Sequence, residues 1–378
     1  MQPTEAWPHG WRFRHPVCDK AMKIIVLAHP KDDHAAPIQW ALEQAGYQAA
    51  CWSGVSWTEQ EQASLLLDQA PGVCLGGHRL ESGDVVWLRQ PDQPTHVAAN
   101  SGERAGYHAF FNALAYTLEG LPFRCVNRYS ASRLVRNKAV QLHVARASGL
   151  EIPATLMSNS PPMVRDFFDQ NPTNAICKAF ASHVWQQMGA EGVTVTETFS
   201  LSREQLPPDE VFTYAPAIYQ QRVPKQFDVR AVIMGKRIYS FALRTPANSL
   251  DWRHEVRNID VETIQTPDHV ERGILRFAEK TGVCFGAMDF AVDWNGDWWF
   301  LEINEQGQFL WLDQLCRQAG LQQKFCAFLT APETSARSLE DRQGLFPSHG
   351  EYQLSHPGEK VPDVTKTSAE SMYKSLEP

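Results

Sequence analysis

The sequence predicts an α/β fold built from several units in series, and three observations carry that prediction. "KIIVLA" (residues 23–28) is an unbroken apolar run of strand length, the pattern of a parallel strand buried on both faces. It passes through the polar loop "HPKDDHA" into the helical pattern "PIQWALEQAG", the strand–loop–helix order of an α/β layer. Further on, "FDVRAVIMGKRIYSFAL" and "FGAMDFAVDWNGDWWFLEIN" each set a tight turn between two apolar strands, so sheet recurs as hairpins. At 378 residues the chain has room for two or three domains of roughly 150 residues each.

Residues 1–21 read as an N-terminal extension. A second strand fits "DVVWLRQP" (84–91), and Tyr107 to Leu118 has helical spacing, closed by Gly120 and Pro122. A new unit starts near Arg124. Its helix runs from Leu134 to Ala147 and stops at Gly149, and Pro153 precedes a strand over Ala154 to Met157. Ser160 and Pro161 suit the N-cap and first position of the next helix, and "NAICKAF" (174–180) suits the strand after it. Residues 187–208 read as loop or hairpin. "AIYQQRV" (217–223) opens a third unit, followed by the "MGKR" hairpin, a less regular segment (245–270), the helix "HVERGILRFAEKTG" and the last hairpin. Residues 332–378 are rich in Ser, Pro, Glu and Lys and read as a mostly disordered tail. The expected division is 1–21, 22–122, 123–210, 211–331 and 332–378.

A formal net charge of −8 gives no overall attraction to nucleic acid or to an anionic membrane, so any phosphate binding must be local. No run reaches the ~18 apolar residues of a spanning helix, and the N-terminus lacks the apolar core of a signal peptide. The eight cysteines form no C-x-x-C pair and no zinc-finger spacing, and several sit inside apolar runs. Together these features point to a reduced, cytoplasmic protein that neither enters a membrane nor binds nucleic acid.

Three constellations carry chemistry. In "FLEINEQGQFLWL", Glu302 and Asn304 interrupt an apolar strand and point to the same face. If Asn295-Gly296 is a two-residue turn, Val292 meets Trp299, Phe290 meets Leu301, and Asp289 lands opposite Glu302, with Asn304 one step on. Directly opposed carboxylates repel, and a hard cation such as magnesium between them resolves the repulsion; a hydrated strand end is the alternative. Lys178, set in the apolar strand "AICKAF", calls for an anionic partner such as a nucleotide phosphate, unless it snorkels at a sheet edge. Asp228 and Arg230 share one strand face. They either pair with each other or hold ribose and phosphoryl oxygens, for which the planar guanidinium is suited.

This order of parts resembles the ATP-grasp ligases, and more narrowly the microviridin-type graspetide synthetases, which close ester and amide rings in peptides. The likeness runs over about residues 22 to 330, through "VVWLRQP", "CVNRYSASRLVRNKAVQLHVARASGLEIPATLMSN", "AIYQQRVPKQFDVRAVIMGKRIYSFAL", "SLDWR" and "FGAMDFAVDWNGDWWFLEINEQGQFLWL". The resemblance implies an ATP-grasp fold with an N-terminal α/β pre-ATP-grasp domain, ATP being clasped between two sheets. It makes Lys138 and Lys178 holders of the ATP phosphates. Gln220, Gln221, Arg222 and Val223 become the hinge that reads adenine through the backbone. Asp228 would lie near the ribose or order the site, and Arg230 would steady the transferring phosphoryl group as the catalytic residue. Asp289, Glu302 and Asn304 would hold Mg2+. The implied partner is a ribosomal precursor peptide with leader and core segments, and a homodimer is expected. This sequence departs from the family at Gln221, where an acidic residue is common, and at Arg89-Gln90, where two arginines are. The extension with Trp7, Trp11 and Phe13 is also outside the usual pattern.

The expected function is an ATP-dependent carboxylate–amine/hydroxyl ligase working through an acyl phosphate and forming cross-links within one peptide. A ligase joining two separate molecules is the alternative, and intact Lys178, Asp289, Glu302 and Asn304 argue against a catalytically dead module. Arg244 borders and Arg253 lies within the segment 245–270, where an acceptor would approach, and they are candidates for gripping substrate carboxylates.

Overall fold

The computed structural model describes residues 22–28, 32–54, 62–68, 72–90, 101–171, 175–180, 184–186, 193–195, 198–245, 250, 252, 258–331 and 342–357. The N-terminal unit comprises β1 (Lys23–Ala28), α1 (Ala35–Gln44), β2 (Gln48–Trp52), β3 (Ala63–Leu66), β4 (Gly72–Leu75), β5 (His78–Leu80), β6 (Val85–Gln90), α2 (Ser101–Gly120) and β7 (Arg124–Val126). Strands β2-β1-β6-β7 form a parallel sheet, and β3-β4-β5 a small antiparallel one. The unbroken apolar run of β1 is buried on both sides: Ile24 and Val26 enter one core, Ile25 and Leu27 another.

The central unit follows with α3 (Tyr129–Val135), α4 (Lys138–Ala147), β8 (Thr155–Ser158), α5 (Pro161–Gln170), β9 (Ala175–Lys178), the hairpin β10 (Val184–Gln186) and β11 (Val193–Val195), β12 (Phe199–Leu201), α6 (Asp209–Tyr214) and β13 (Ala217–Gln221). The single helix expected over 134–147 is two. Asn137 breaks it, accepting backbone N–H bonds from Ala139 and Val140 and so capping α4. Lys138 therefore stands at the first position of a helix. The sheet order β12-β9-β13-β8 is a second correction. β13 pairs with β8 and β9 and sends Tyr219 into the core of Val164, Phe168, Ala175 and Phe212. "AIYQQRV" thus completes the central sheet, and the chain leaves it only after Gln221.

The C-terminal unit is an antiparallel sheet of order β16-β15-β14-β17-β18. Its parts are β14 (Lys225–Met234), β15 (Arg237–Arg244), β16 (Asp260–Ile264), α7 (Asp268–Thr281), β17 (Phe285–Asp293) and β18 (Trp298–Asn304), with α8 (Leu310–Leu315) and α9 (Leu321–Thr330) after them. Both faces are sealed. One packs Val229, Ala231 and Phe290 against Leu142 of α4 and Ile274 and Phe277 of α7. The other shares a core with the N-terminal sheet, where Trp87 meets Phe285 and Phe325.

The expected disordered tail is folded in part. Residues 349–355 form α10 (His349–Ser355), opened by a capping box between Ser348 and Glu351. Phe346, His349 and Tyr352 are buried, and Tyr352 lies 5.4 Å from Trp40 of α1. A few aromatic anchors suffice to dock a segment whose composition is otherwise polar. Residues 1–21, 332–341 and 358–378 lie outside the described residues.

Candidate active site

The last hairpin brings Asp289 opposite Glu302, by a route that turn counting does not foresee. Asn295-Gly296 lies in a three-residue loop: Asp293 N–H donates to the Asp297 carbonyl at 3.1 Å, and Gly296 takes φ 87°. Asp293 braces the loop, accepting from the N–H groups of Asn295 and Asp297 and from the Trp299 indole, which hold its carboxyl below the usual range, the indole most. Val292 consequently faces Trp298, and Phe290 faces Phe300, one residue away from the expected pairs. A bulge then inserts Leu301 between Phe300 and Glu302 and restores Asp289 opposite Glu302 and Ala287 opposite Asn304. Trp298 and Phe300 belong to the helix-covered core. Without the bulge, strand alternation would send Glu302 and Asn304 after them.

On the same face of the sheet, Arg230 of β14 pairs in register with Asp289. Its Nη1 donates to both carboxylate oxygens, at 2.8 and 3.0 Å, and its Nη2 donates to the Gln308 carbonyl at 3.0 Å. Arg230 is 3% exposed and its Nε–H has no partner. Removing one member of so buried a pair costs about 3–5 kcal/mol. Asp228 does not pair with Arg230; it takes the Lys225 ammonium at 2.6 Å.

From the central sheet, Lys178 donates to Gln220 Oε1 at 3.0 Å, and Gln220 Nε2 donates to the Thr155 hydroxyl at 3.0 Å. Lys138 reaches the Ala179 carbonyl at 3.5 Å, so both lysines meet at the end of β9. Gln221 closes the hinge onto Ala154, its N–H donating to the Ala154 carbonyl at 2.8 Å and its side chain accepting from Ala154 N–H at 3.4 Å. Arg222 and Val223 form the loop that leaves the sheet. Arg244 bonds Glu262 at 2.6 Å and lies 4.4 Å over the Phe227 ring, an exposed sheet pair that leaves its guanidinium engaged. Arg253 lies outside the described residues.

Sequence reasoning missed the side chains that hold this frame. Gln141, one turn into α4 from Lys138, bonds both backbone groups of Ile303, the residue between Glu302 and Asn304. Asn127 donates to the carbonyls of Phe285 and Glu305 and accepts from the N–H groups of Cys284 and Phe285. Arg136 pairs with Glu305 at 2.7 Å. Single polar side chains carry no periodic signal, so nothing marked them. Gly307 is legible in retrospect: its φ is 55° and a Cβ there would strike Phe285 at 2.7 Å.

Asp289, Glu302 and Asn304 make an all-oxygen set of two carboxylates and a carboxamide on one sheet face, the donor chemistry that suits magnesium. A carboxylate has about four acceptor sites, so Asp289 can serve Arg230 and a cation together. Among the described residues no three His, Cys, Asp or Glu side chains group as a metal site.

No protein-family model matches the chain, and no curated protein sequence does. Solved structures match over most of it. The macrocyclase MdnC of Microcystis aeruginosa MRC, bound with precursor peptide MdnA, is 23% identical, covers 82% of this chain and 99% of its own, and superposes with a TM-score of 0.70. A RiPP-associated ATP-grasp ligase of Chryseobacterium gregarium, in complex with ADP and a leader and core peptide, is 21% identical over 82% of this chain and 98% of its own, TM-score 0.68. The ATP-grasp ligase PsnB, with a precursor variant, Mg and ADP, is 20% identical over 84% and 99%, TM-score 0.64. At these identities the likeness establishes the fold: this chain has the ATP-grasp architecture.

Proposed function

We propose that this chain is an ADP-forming ATP-grasp ligase that closes ester or amide cross-links within a ribosomally made precursor peptide. The observation that carries the reading is Arg230 gripping Asp289 directly across the sheet from Glu302, with Asn304 beside it, on an ATP-grasp fold. The ATP-grasp proteins it resembles are described with ADP, Mg and precursor peptides, which is the ligand set this site would take.

In the proposed reaction a peptide carboxylate oxygen attacks the γ-phosphorus of ATP and ADP leaves. A hydroxyl or amine of the same peptide then bonds to the acyl carbon, gives up its proton, and displaces phosphate; each ring removes one water. Lys138 and Lys178 bind the phosphates, and the hinge from Gln220 to Val223 lines the base. Arg230, with its Nε–H unspent, meets the charge that grows on the phosphoryl oxygens, and the protein contributes position and electrostatics rather than a covalent nucleophile. Asp289, Glu302 and Asn304 would hold magnesium, which would supply charge neutralisation to the phosphates. Asp228 secures Lys225 beside the hinge. Arg244 and Arg253 are assigned to substrate carboxylates, Arg244 exchanging Glu262 for the peptide. No helix of the described residues is long and apolar enough to cross a membrane, and the net charge of −8 disfavours nucleic acid. A homodimer would weigh twice 42.7 kDa by light scattering.

The test is the intact mass of a candidate precursor peptide co-expressed with this enzyme, beside a Glu302→Ala control. Losses of whole waters that vanish in the control are expected. Added mass from a second molecule would move the protein to the intermolecular ligases, and water losses that persist in the control would remove Glu302 from the metal site.

A further inference from the structure

Between Asn304 and α8 the chain runs through Glu305 to Phe309, and the N-terminal unit pins that stretch at both ends. Arg89, 2% exposed at the end of β6, donates through Nη1 to the Gln306 carbonyl at 3.0 Å. His34, 3% exposed just before α1, accepts at Nε2 from the N–H of Phe309 at 2.9 Å and of Leu310 at 3.3 Å. Phe309 makes no side-chain cap for α8, so His34 caps that helix from across the fold. Asp32 steadies both: one oxygen accepts from Arg89 Nε at 3.3 Å and from the N–H groups of His34 and Ala35. Between the pinned points lies Gln308, whose carbonyl receives Arg230 Nη2 at 3.0 Å.

We propose that His34 is a positioning residue for Arg230: the Nε2 lone pair fixes the Phe309 and Leu310 amides, these fix the Gln308 carbonyl, and that carbonyl sets the guanidinium. The proposal rests on the role given to Arg230 above. It makes the N-terminal unit part of the reaction's geometry through Asp32, His34 and Arg89. An imidazole serves here only while Nε2 accepts, because the protonated ring has two donors and would face two N–H groups. Nε2 receives two N–H groups, one of them at the shortest distance of the three, 2.9 Å, which places the ring proton on Nδ1 and makes Arg89 Nη2, 3.3 Å from Nδ1, a packing neighbour. Burial first, and then Arg89 beside it, press the His34 pKa well below the ordinary histidine range, so the acceptor form persists. Burial works against the Asp32 carboxylate too, but Arg89 and the two N–H bonds outweigh it and hold that carboxyl below its usual range.

Two substitutions in the full-length chain decide the matter. In His34→Gln the amide oxygen reaches the place of Nε2 and keeps an acceptor there; in His34→Ala nothing does. The Arg230 Nε–H resonance, identified by its loss in Arg230→Lys, is expected to stay sharp in the wild type and in His34→Gln and to broaden by solvent exchange in His34→Ala. Turnover at saturating ATP is expected to fall about 100-fold in His34→Ala, the scale of a small misplacement of a catalytic group, with KM for ATP nearly unchanged and with recovery in His34→Gln. Should the alanine variant fail to fold, His34→Asn, whose oxygen sits at the level of Nδ1, takes its place with the same expectation. An unchanged Arg230 signal in the variant lacking the acceptor overturns the proposal, and so does a glutamine variant as impaired as the alanine one. The resonance needs neither nucleotide nor peptide. A chain inactive on every peptide would sink the ligase reading while the His34 link is still judged by that signal.

Discussion

Phe300 and Phe168 occupy comparable places, one beneath each of the two sheets that carry the site, yet their surroundings differ sharply. Phe300 lies in a core that joins β14, β17 and β18 to α4 and α7, while the opposite face of that sheet is sealed by a second core shared with the N-terminal unit. Among the described residues, Phe168 belongs to a core of six buried side chains under the central sheet. Free energies of local opening follow buried apolar contact, so the central sheet is the part that yields first. Arg230, Asp289, Glu302 and Asn304 all stand on the sealed sheet, whereas Lys178 and Gln220 stand on the thin one. On the roles proposed above, the groups that would meet developing charge in fixed geometry are on the stiff side, and those that would admit and release a ligand are on the compliant side.

The largest expected effect tests the stiff side. Arg230→Ala should cut turnover by about 1,000-fold or more, the upper range for losing a donor to developing charge, while calorimetry still shows ATP binding. Loss of nucleotide binding in a folded variant would erase the division of labour between the sheets. Next, Phe168→Ala should cost about 3–5 kcal/mol in the central unit. Hydrogen exchange is expected to quicken in β9 and β13 and stay unchanged in β14 and β17; equal quickening in all four would mean that the sheets unfold as one. Lys178→Met removes a charge-assisted contact worth about 1.5–3 kcal/mol, so KM for ATP should rise roughly ten- to 100-fold with kcat at saturation little changed. A matching fall in kcat would place Lys178 among the groups that act on the reaction itself.

The smallest effect concerns the docked tail. His349 accepts at one ring nitrogen from Gln314 and donates at the other to Gln322, and burial lowers its pKa from 6.5 to about 4. As pH falls from 6.5 towards 4 the undocked tail takes up a proton that the docked tail refuses, so docking weakens through that window. Protection of α10 amides, taken relative to their intrinsic exchange rate at each pH, should therefore fall on acidification, and His349→Gln should flatten the slope. A flat profile in the wild type would show that His349 does not stay buried when the tail is docked.

Much of this was legible in the residues because it rests on repeat patterns. The apolar run of β1 announced a strand covered on both faces, those of β14 and β17 announced hairpin strands, and carboxylates in such runs marked the candidate site. The missing parts rest on single side chains acting at a distance in sequence. Asn137 splits a helix whose apolar spacing continues unbroken across it. Tyr219 assigns β13 to the central sheet through packing partners that come from α5, α6 and β9. Three aromatics or histidines dock a tail of disordered composition. Arg89 was noticed only as half of a missing pair of arginines, and its use, holding Gln306, depends on a residue 217 positions away.

The bulge at Leu301 gives the site an unusual kind of fragility. Strand positions before it count odd and even one way, and positions after it count the other way, so Leu301 acts as a parity switch between the hydrophobic half of β18 and the half that carries Glu302 and Asn304. What matters at that place is that the residue stays out of the ladder, more than which residue it is. Exchanging Leu301 for another strand-forming side chain leaves the count intact. Deleting it would let Glu302 follow Phe300 in plain alternation and keep Glu302 and Asn304 on their face, whereas drawing Leu301 into the ladder opposite Asp289 would turn both into the hydrophobic core and erase the candidate site without altering one of its named residues.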